Sequence, residues 1–237
     1  MNQVIQSSNQ YILFDPAFLA DDDSAKLFFT DMNDDASDES ADKPGRGEAR
    51  FFQCGPHALV VKHYLRGGWL ARFVRDQYYG CDAEVTRAFR EWRLLATMRE
   101  KGLPVPKPVA ARVVMKHCFY RADLVTLQIQ DARTLSQYLS EAGFKQEGWQ
   151  AIGECIKRFH RHGVYHADLN ASNILINQQQ ELFVLDFDKG AIKMGDLWKI
   201  DNLDRLKRSL LKYKKKNTDF GFVSSDWAQL MSGYIHS

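Results

Sequence analysis

Between Val164 and Lys189 the chain carries His166, Asp168, Asn173 and Asp186, four polar residues whose spacing could do chemistry together. Two short apolar runs, 174–176 and 182–185, flank the polar turn Asn177-Gln-Gln-Gln180 and read as a hairpin, which would bring Asn173 beside Asp186. An amide oxygen and a carboxylate at one edge suit magnesium, which takes a few protein oxygens and leaves the rest of its shell to phosphate and water. Asp168, on a tight loop after a helix, would be held outward to orient an acceptor hydroxyl. His-x-Asp-x-x-x-x-Asn followed by Asp-Phe is the phosphoryl-transfer pattern. Ordinary turn and capping residues account for the pieces singly but not for their joint spacing. His166 is read as a brace for the loop rather than as a general base.

Upstream parts gain weight from their order. Lys62 interrupts the apolar run Leu59-Val-Val-Lys-His-Tyr64, where a charge needs a partner or a ligand. Glu91, at the margin of a helical apolar stripe, is the expected partner, with Glu84 and Glu100 as competitors. Gly45-Arg-Gly47 precedes a strand and is either a phosphate-covering turn or a plain turn, since Arg50 stands where a third glycine would be.

These groups need a scaffold. Strands are expected at 11–14, 49–54 and 58–65, then a helix over 83–101 with Val85, Ala88, Phe89, Trp92, Leu95, Ala96 and Met98 on one stripe. Gly102 ends it and Leu103-Pro-Val-Pro-Lys-Pro108 continues as an extended strap. Two strands, near 109–115 and 118–128, precede helices over 134–142 and 147–162, the hairpin, and a helical remainder from 195. The pattern predicts an α+β, protein-kinase-like two-lobed fold: a β-rich N-terminal lobe over 1–130, and a reduced helical C-terminal lobe over 131–237 carrying the catalytic and metal-binding loops.

The 237 residues are 45% apolar with 15 Phe, 9 Tyr and 5 Trp, which excludes a disordered chain. No apolar run is long enough to span a bilayer, and the start MNQVIQSSNQ does not read as a signal peptide. Cys54, Cys81, Cys118 and Cys155 occur singly and are expected as reduced, mostly buried thiols. The net charge of +2 is a cancellation: 15–42 holds ten acids against Lys26, whereas 189–216 holds ten bases against Asp196, Asp201 and Asp204. The acidic segment about 21–42 is expected to be a mobile loop. No nucleic-acid motif accompanies the basic stretch, so RNA and DNA are not expected partners.

Fifty-one residues follow Asp186 and none is proline, so the Ala-Pro-Glu segment that supports a protein substrate is missing. Ala167 stands where many protein kinases carry the arginine that receives an activation phosphate. Asp188 replaces the glycine of Asp-Phe-Gly, and Asn170 the lysine usual two places after the catalytic aspartate. A small or headgroup-like acceptor is expected. Bases at Arg46, His63, Arg66 and Lys189, and at Lys199, Arg205, Lys207 and Arg208, suggest an anionic one.

Lys62-His-Tyr-Leu-Arg-Gly-Gly68, Leu103-Pro-Val-Pro-Lys-Pro-Val-Ala-Ala-Arg112, His166-Ala-Asp-Leu-Asn-Ala-Ser-Asn-Ile-Leu175, Leu185-Asp-Phe-Asp-Lys189 and Gly195-Asp-Leu-Trp-Lys199 with Asn202-Leu-Asp-Arg-Leu-Lys-Arg-Ser209 resemble the 3-deoxy-D-manno-octulosonic acid (Kdo) kinases within the lipopolysaccharide kinase group. The resemblance runs from about residue 43 to the C-terminus and leaves out the acidic loop. It implies ATP-dependent phosphorylation of the Kdo 4-hydroxyl on a lipid A precursor, in lipopolysaccharide core assembly, by a peripheral protein on the cytoplasmic face of the inner membrane. It implies Asp168 as catalytic aspartate, Asn173 and Asp186 as magnesium ligands, and Lys62 as the lysine on the ATP phosphates. Glu91, Gly45 and Gly47 complete the expected ATP site, and Arg66, Asn170, Asp188, Lys189 and Arg205 the expected acceptor contacts. A heptose or aminoglycoside acceptor, or a non-catalytic nucleotide-binding protein, are the alternatives. Lys212, Lys214, Lys215 and Lys216 with Tyr213 read either as a contact with the anionic membrane surface or as a solvated helix end.

Overall fold

The computed structural model describes residues 2–19, 24–25, 28–29, 49–65, 76–141 and 147–237. They fall into two compact units: residues 1–96 with 107–128, and 97–106 with 129–237.

The first unit is built on an antiparallel sheet. Its strands are β1 (Gln3–Ser7), β2 (Gln10–Phe14), β3 (Ala49–Cys54), β4 (His57–His63), β5 (Tyr78–Tyr79), β6 (Pro108–Lys116) and β7 (Phe119–Leu127), ordered β1-β2-β6-β7-β4-β3 with β5 also on β7. Alternation along β2, β4, β6 and β7 sends Ile12, Phe14, Leu59, Val61, Ala110 and Val125 into one apolar cluster. Ala25, Phe28 and Phe29 are buried in it too, on helical backbone at 24–25 and 28–29. The expected mobile acidic loop is therefore wrong at these positions. Ala25, Phe28 and Phe29 are spaced as one helical face, a signal masked by the surrounding acids. Arg112 fixes this cover, with its guanidinium 4.9 Å from the Phe29 ring and Nη1 donating to the Phe29 carbonyl at 3.4 Å.

The expected helix over 83–101 is two elements. A 3-10 turn at Ala83–Val85, capped by the Asp82 carboxylate, ends at Thr86, whose backbone is extended; helix α1 runs Arg87–Glu100. Val85 consequently lies in the turn and is exposed, whereas Ala88, Phe89, Trp92, Leu95 and Met98 are buried.

In the second unit, α2 (Leu135–Ser140) follows the two-residue β8 (Arg133–Thr134), with Thr134 and Gln137 forming a reciprocal cap. Helix α3 (Glu147–Arg161) leads through β9 (Val164–Tyr165) to the hairpin β10 (Ile174–Ile176) and β11 (Leu182–Val184); β12 (Ala191–Ile192) pairs back with β9. The prolyl strap groups here because Val184 donates to the Pro104 carbonyl at 3.0 Å.

The C-terminal stretch is not one helical run: α4 (Leu197–Lys216) and α5 (Ser224–His236) are separated by 217–223. Buried Phe220 stacks on Tyr213 at 5.3 Å, and Lys214 Nζ caps the Thr218 and Phe220 carbonyls at 2.7 Å each, so the chain turns to bury an aromatic. Helices α3 and α5 meet backbone to backbone at two glycines. A Cβ at Gly153 would lie 2.0 Å from the Leu230 carbonyl oxygen, and one at Gly233 would lie 2.1 Å from that of Gln150.

The cysteines differ from expectation. Only Cys155 is buried, and burial pushes its thiol up to about 12. Cys81 and Cys118 are exposed because they flank the β5–β7 pairing, and the neighbouring Cys118 thiol raises the Cys81 thiol above its usual range. Among the described residues no helix is long and apolar enough to cross a membrane.

Candidate active site

The loop from His166 to Asn173 is tied down on every side. The backbone N–H of Asp168 donates to His166 Nδ1 at 3.0 Å, which makes that nitrogen the acceptor. The proton therefore sits on Nε2, which donates to the Leu185 carbonyl at 2.8 Å. With both nitrogens committed and the ring buried, His166 is a brace. Asn202, on the inward face of α4, clamps the same residue: Oδ1 accepts from the His166 N–H at 3.1 Å and Nδ2 donates to its carbonyl at 3.0 Å. Further along the loop, Ala171 N–H donates to Ser209 Oγ at 3.3 Å, and Ser172 Oγ lies 2.6 Å from the Tyr213 hydroxyl.

Asp168 emerges from this frame exposed. Asn173 donates from Nδ2 to the Asp168 carbonyl at 2.9 Å, which leaves Oδ1 as the atom that could take a cation, and the Asn173 carbonyl accepts from Leu185 N–H at 2.8 Å. That bond, continuous with the β10–β11 ladder, sets Asp186 next in line on the facing segment. Asp186 has φ of 62°, the left-handed region that aspartate tolerates better than most residues. Buried Phe187 stacks on Phe159 at 5.7 Å and lies 4.6 Å from His166, so the aromatic is spent inward while Asp186 stays exposed. An amide oxygen and a carboxylate are hard donors that fit magnesium.

In the first unit, Lys62 Nζ bonds both oxygens of buried Glu91, at 3.1 and 2.9 Å. Glu84 instead pairs with Arg93, which settles the choice of partner. Tyr64 adds what the sequence reading missed: its hydroxyl donates to Glu91 Oε2 at 2.5 Å, and its ring lies 4.9 Å from Lys62 Nζ. Tyr64 sits two residues from Lys62, on the same side of the strand, and that alternation was the available signal.

His63, next to Lys62, joins a different group. Its Nδ1 lies 2.6 Å from Asp123, which also takes two bonds from Arg112 at 2.9 and 2.8 Å. Burial resists ionisation of Asp123, but the His63 hydrogen bond and the charges of Arg112 and His63 outweigh it and hold the carboxyl below the usual carboxylate range.

The remaining expected contacts scatter. Gly45, Gly47, Arg46 and Arg66 lie outside the described residues. Asn170 turns to Asp168 itself. Lys189 is exposed in a left-handed turn, Asp188 is half-buried, and Arg205 is half-buried with its Nε enclosed by protein. Ser172, Asn202 and Ser209 lie inside the blocks that carry the family resemblance, which assigns them no role of their own, and Tyr213 is read only with the C-terminal lysines; the further hint is that Asn202 interrupts the apolar face of α4.

The lipopolysaccharide kinase (Kdo/WaaP) family model matches residues 32–234. The chain belongs to that family. It is 42% identical over 198 residues to a protein of Actinobacillus succinogenes named 3-deoxy-D-manno-octulosonic acid kinase, covering 80% of this chain and 82% of the relative. A protein of the same name from Haemophilus influenzae strain PittGG is 37% identical over 240 residues, 97% of this chain and 98% of the relative. One from Vibrio cholerae is 37% identical over 214 residues, 90% of each. The Kdo/WaaP family match spans both units, including Lys62 and Glu91 as well as the loop holding Asp168, Asn173 and Asp186.

Proposed function

We propose that the chain transfers the γ-phosphoryl group of ATP to the 4-hydroxyl of Kdo on a lipid A precursor, in lipopolysaccharide core assembly, as a peripheral protein on the cytoplasmic face of the inner membrane. The two compact units are on this reading the lobes of a protein-kinase-like fold. The observation that carries the chemistry is the Asn173 amide on the Asp168 carbonyl: one bond fixes the acceptor-orienting aspartate to a ligand of the phosphate-bound cation.

Each residue then has a task. Lys62, held by Glu91 and Tyr64, engages the α and β phosphates. Asn173 Oδ1 and the Asp186 carboxylate hold magnesium, which when bound neutralises phosphate charge. Asp168 orients the sugar hydroxyl in line with the γ-phosphorus and accepts its proton late. Because such a transition state is loose, positioning supplies most of the acceleration, and a loop braced by His166 and Asn202 suits that.

Incubating the purified protein with γ-labelled ATP and a Kdo-bearing lipid A precursor, then locating the phosphate, tests the reading. Label on the Kdo 4-position is expected. Transfer to a heptose or an aminoglycoside in the same panel, with none to Kdo, overturns the acceptor.

A further inference from the structure

Exposed bulky apolar side chains gather in one stretch of the second unit. Ile192 is 51% exposed, Met194 97%, Leu197 87% and Ile200 61%, all within nine positions, and Leu211 is 51% exposed further along α4. At 100° per residue, Leu197, Ile200 and Leu211 fall within about 60° of one another on the helix. The opposite face holds buried Trp198, Asn202, Leu203, Leu206 and Leu210. Helix α4 is thus apolar on the face that packs and again along its outward ridge.

The surroundings of that ridge are basic. Arg208 and Lys215 lie on it, and Lys193, Lys207 and Lys212 flank it, all exposed. Of the three acids in 189–216, Asp196 is paired with Lys199 at 2.5 Å, Asp201 flanks the ridge and Asp204 lies on it between Leu197 and Leu211, so the bases outnumber the acids there without excluding them. Protruding hydrocarbon ringed by lysine and arginine matches an anionic bilayer, where apolar side chains enter the headgroup boundary and bases meet lipid phosphates. A second copy of the chain would set this basic surround against itself.

We infer that the Ile192–Ile200 segment and the outward ridge of α4 form a docking surface for an anionic lipid bilayer, a deepening that rests on the proposed function for its purpose. It keeps Lys212 and Lys215 of the contact expected from the C-terminal lysines and drops Tyr213 and Lys214 from it. Tyr213 is committed to Ser172 and Phe220, and Lys214 to two carbonyls, so neither is available to lipid. The inward face of the same helix seats the Asp168 loop through Asn202, Ser209 and Tyr213, so docking by the ridge would hold the loop at a fixed height over the headgroups.

The test is cosedimentation of the full chain with vesicles of phosphatidylglycerol and phosphatidylethanolamine, without acceptor, against vesicles of phosphatidylcholine alone. Binding to the anionic vesicles is expected, and Met194→Asp with Leu197→Asp should weaken it about tenfold or more. Turnover on an acyl-free Kdo oligosaccharide should be unchanged in that variant, which shows it folded. Absent binding of the unaltered chain, equal binding by the variant, or self-association that the variant abolishes in sedimentation velocity would each overturn the surface. Loss of acyl-free turnover in the unaltered chain would instead count against the proposed function.

Discussion

Asn170 donates from Nδ2 to the backbone carbonyl of Asp168 at 3.0 Å and to its carboxylate Oδ2 at 3.2 Å. Its own Oδ1 accepts from Ser172 N–H at 2.8 Å. An amide expected to touch the acceptor is instead a strut that aims the carboxylate. Asn170→Ala should lower kcat about tenfold with little change in acceptor KM, since a misaimed group costs rate rather than binding. A raised acceptor KM at unchanged kcat would return Asn170 to the acceptor site.

Asp168→Ala is expected to lower kcat by about two to four orders of magnitude while ATP affinity holds. Asp186→Asn should shift the magnesium dependence of turnover to higher concentration. Steady-state kinetics with magnesium titration separates the two, and an unchanged magnesium profile would remove Asp186 from the ligand set.

Glu91→Gln keeps the shape of the side chain but removes the charge that Lys62 and Tyr64 share. A raised KM for ATP is expected, with about 1–3 kcal/mol lost in chemical denaturation because a buried pair is broken. Glu84→Gln, on the surface with Arg93, should do neither.

Gly153→Ala would drive a methyl into the Leu230 carbonyl, backbone against backbone. Helices α3 and α5 must then separate, at a cost of about 1–3 kcal/mol or more. A fall in Tm of several degrees checks this.

His160 is buried, with Nδ1 2.8 Å from the Tyr234 hydroxyl. Burial, with the charges of Lys199 and Lys157, pushes the imidazole down to about 4, against the opposing effect of a hydrogen bond to Asn202. The unfolded chain takes up this proton near 6.5 and the folded chain only near 4. Stability from this group is therefore complete above pH 6.5 and drains away as pH falls from 6.5 to 4, by roughly 3 kcal/mol. Urea melts across that window check it, and His160→Gln should flatten the slope.

How much of this was legible depended on distance along the chain. The segment from His166 to Asp186 could be read because phosphoryl chemistry needs those groups at short, fixed separations, and the polar turn Asn177–Gln180 announces the hairpin. Glu91 could be narrowed to three acids by helical spacing, but only packing tells which acid faces inward. Asn202 and Ser209 were opaque: their partners lie 36 and 38 residues away, and no local pattern encodes a clamp between a loop and a later helix. Phe28 and Phe29 were hidden by neighbouring acids, whose charge dominates composition although two aromatics decide burial. The break between α4 and α5 escaped although Asn217, Asp219 and Gly221 mark it, because its apolar residues Phe220 and Phe222 read as a continuing helix; the turn is held by a lysine on two carbonyls.

The tautomer of His166 has a use beyond the reaction. An imidazole Nε2–H that is enclosed by protein and bonded to the Leu185 carbonyl exchanges slowly with solvent. It should give a discrete proton resonance downfield of the amides in magnetic resonance spectra recorded in water. Since that bond, with the Leu185 N–H on the Asn173 carbonyl, joins the Asp168 loop to the Asp186 segment, its line width and persistence would report, in the resting protein and without any substrate, whether the two halves of the site are still fastened together.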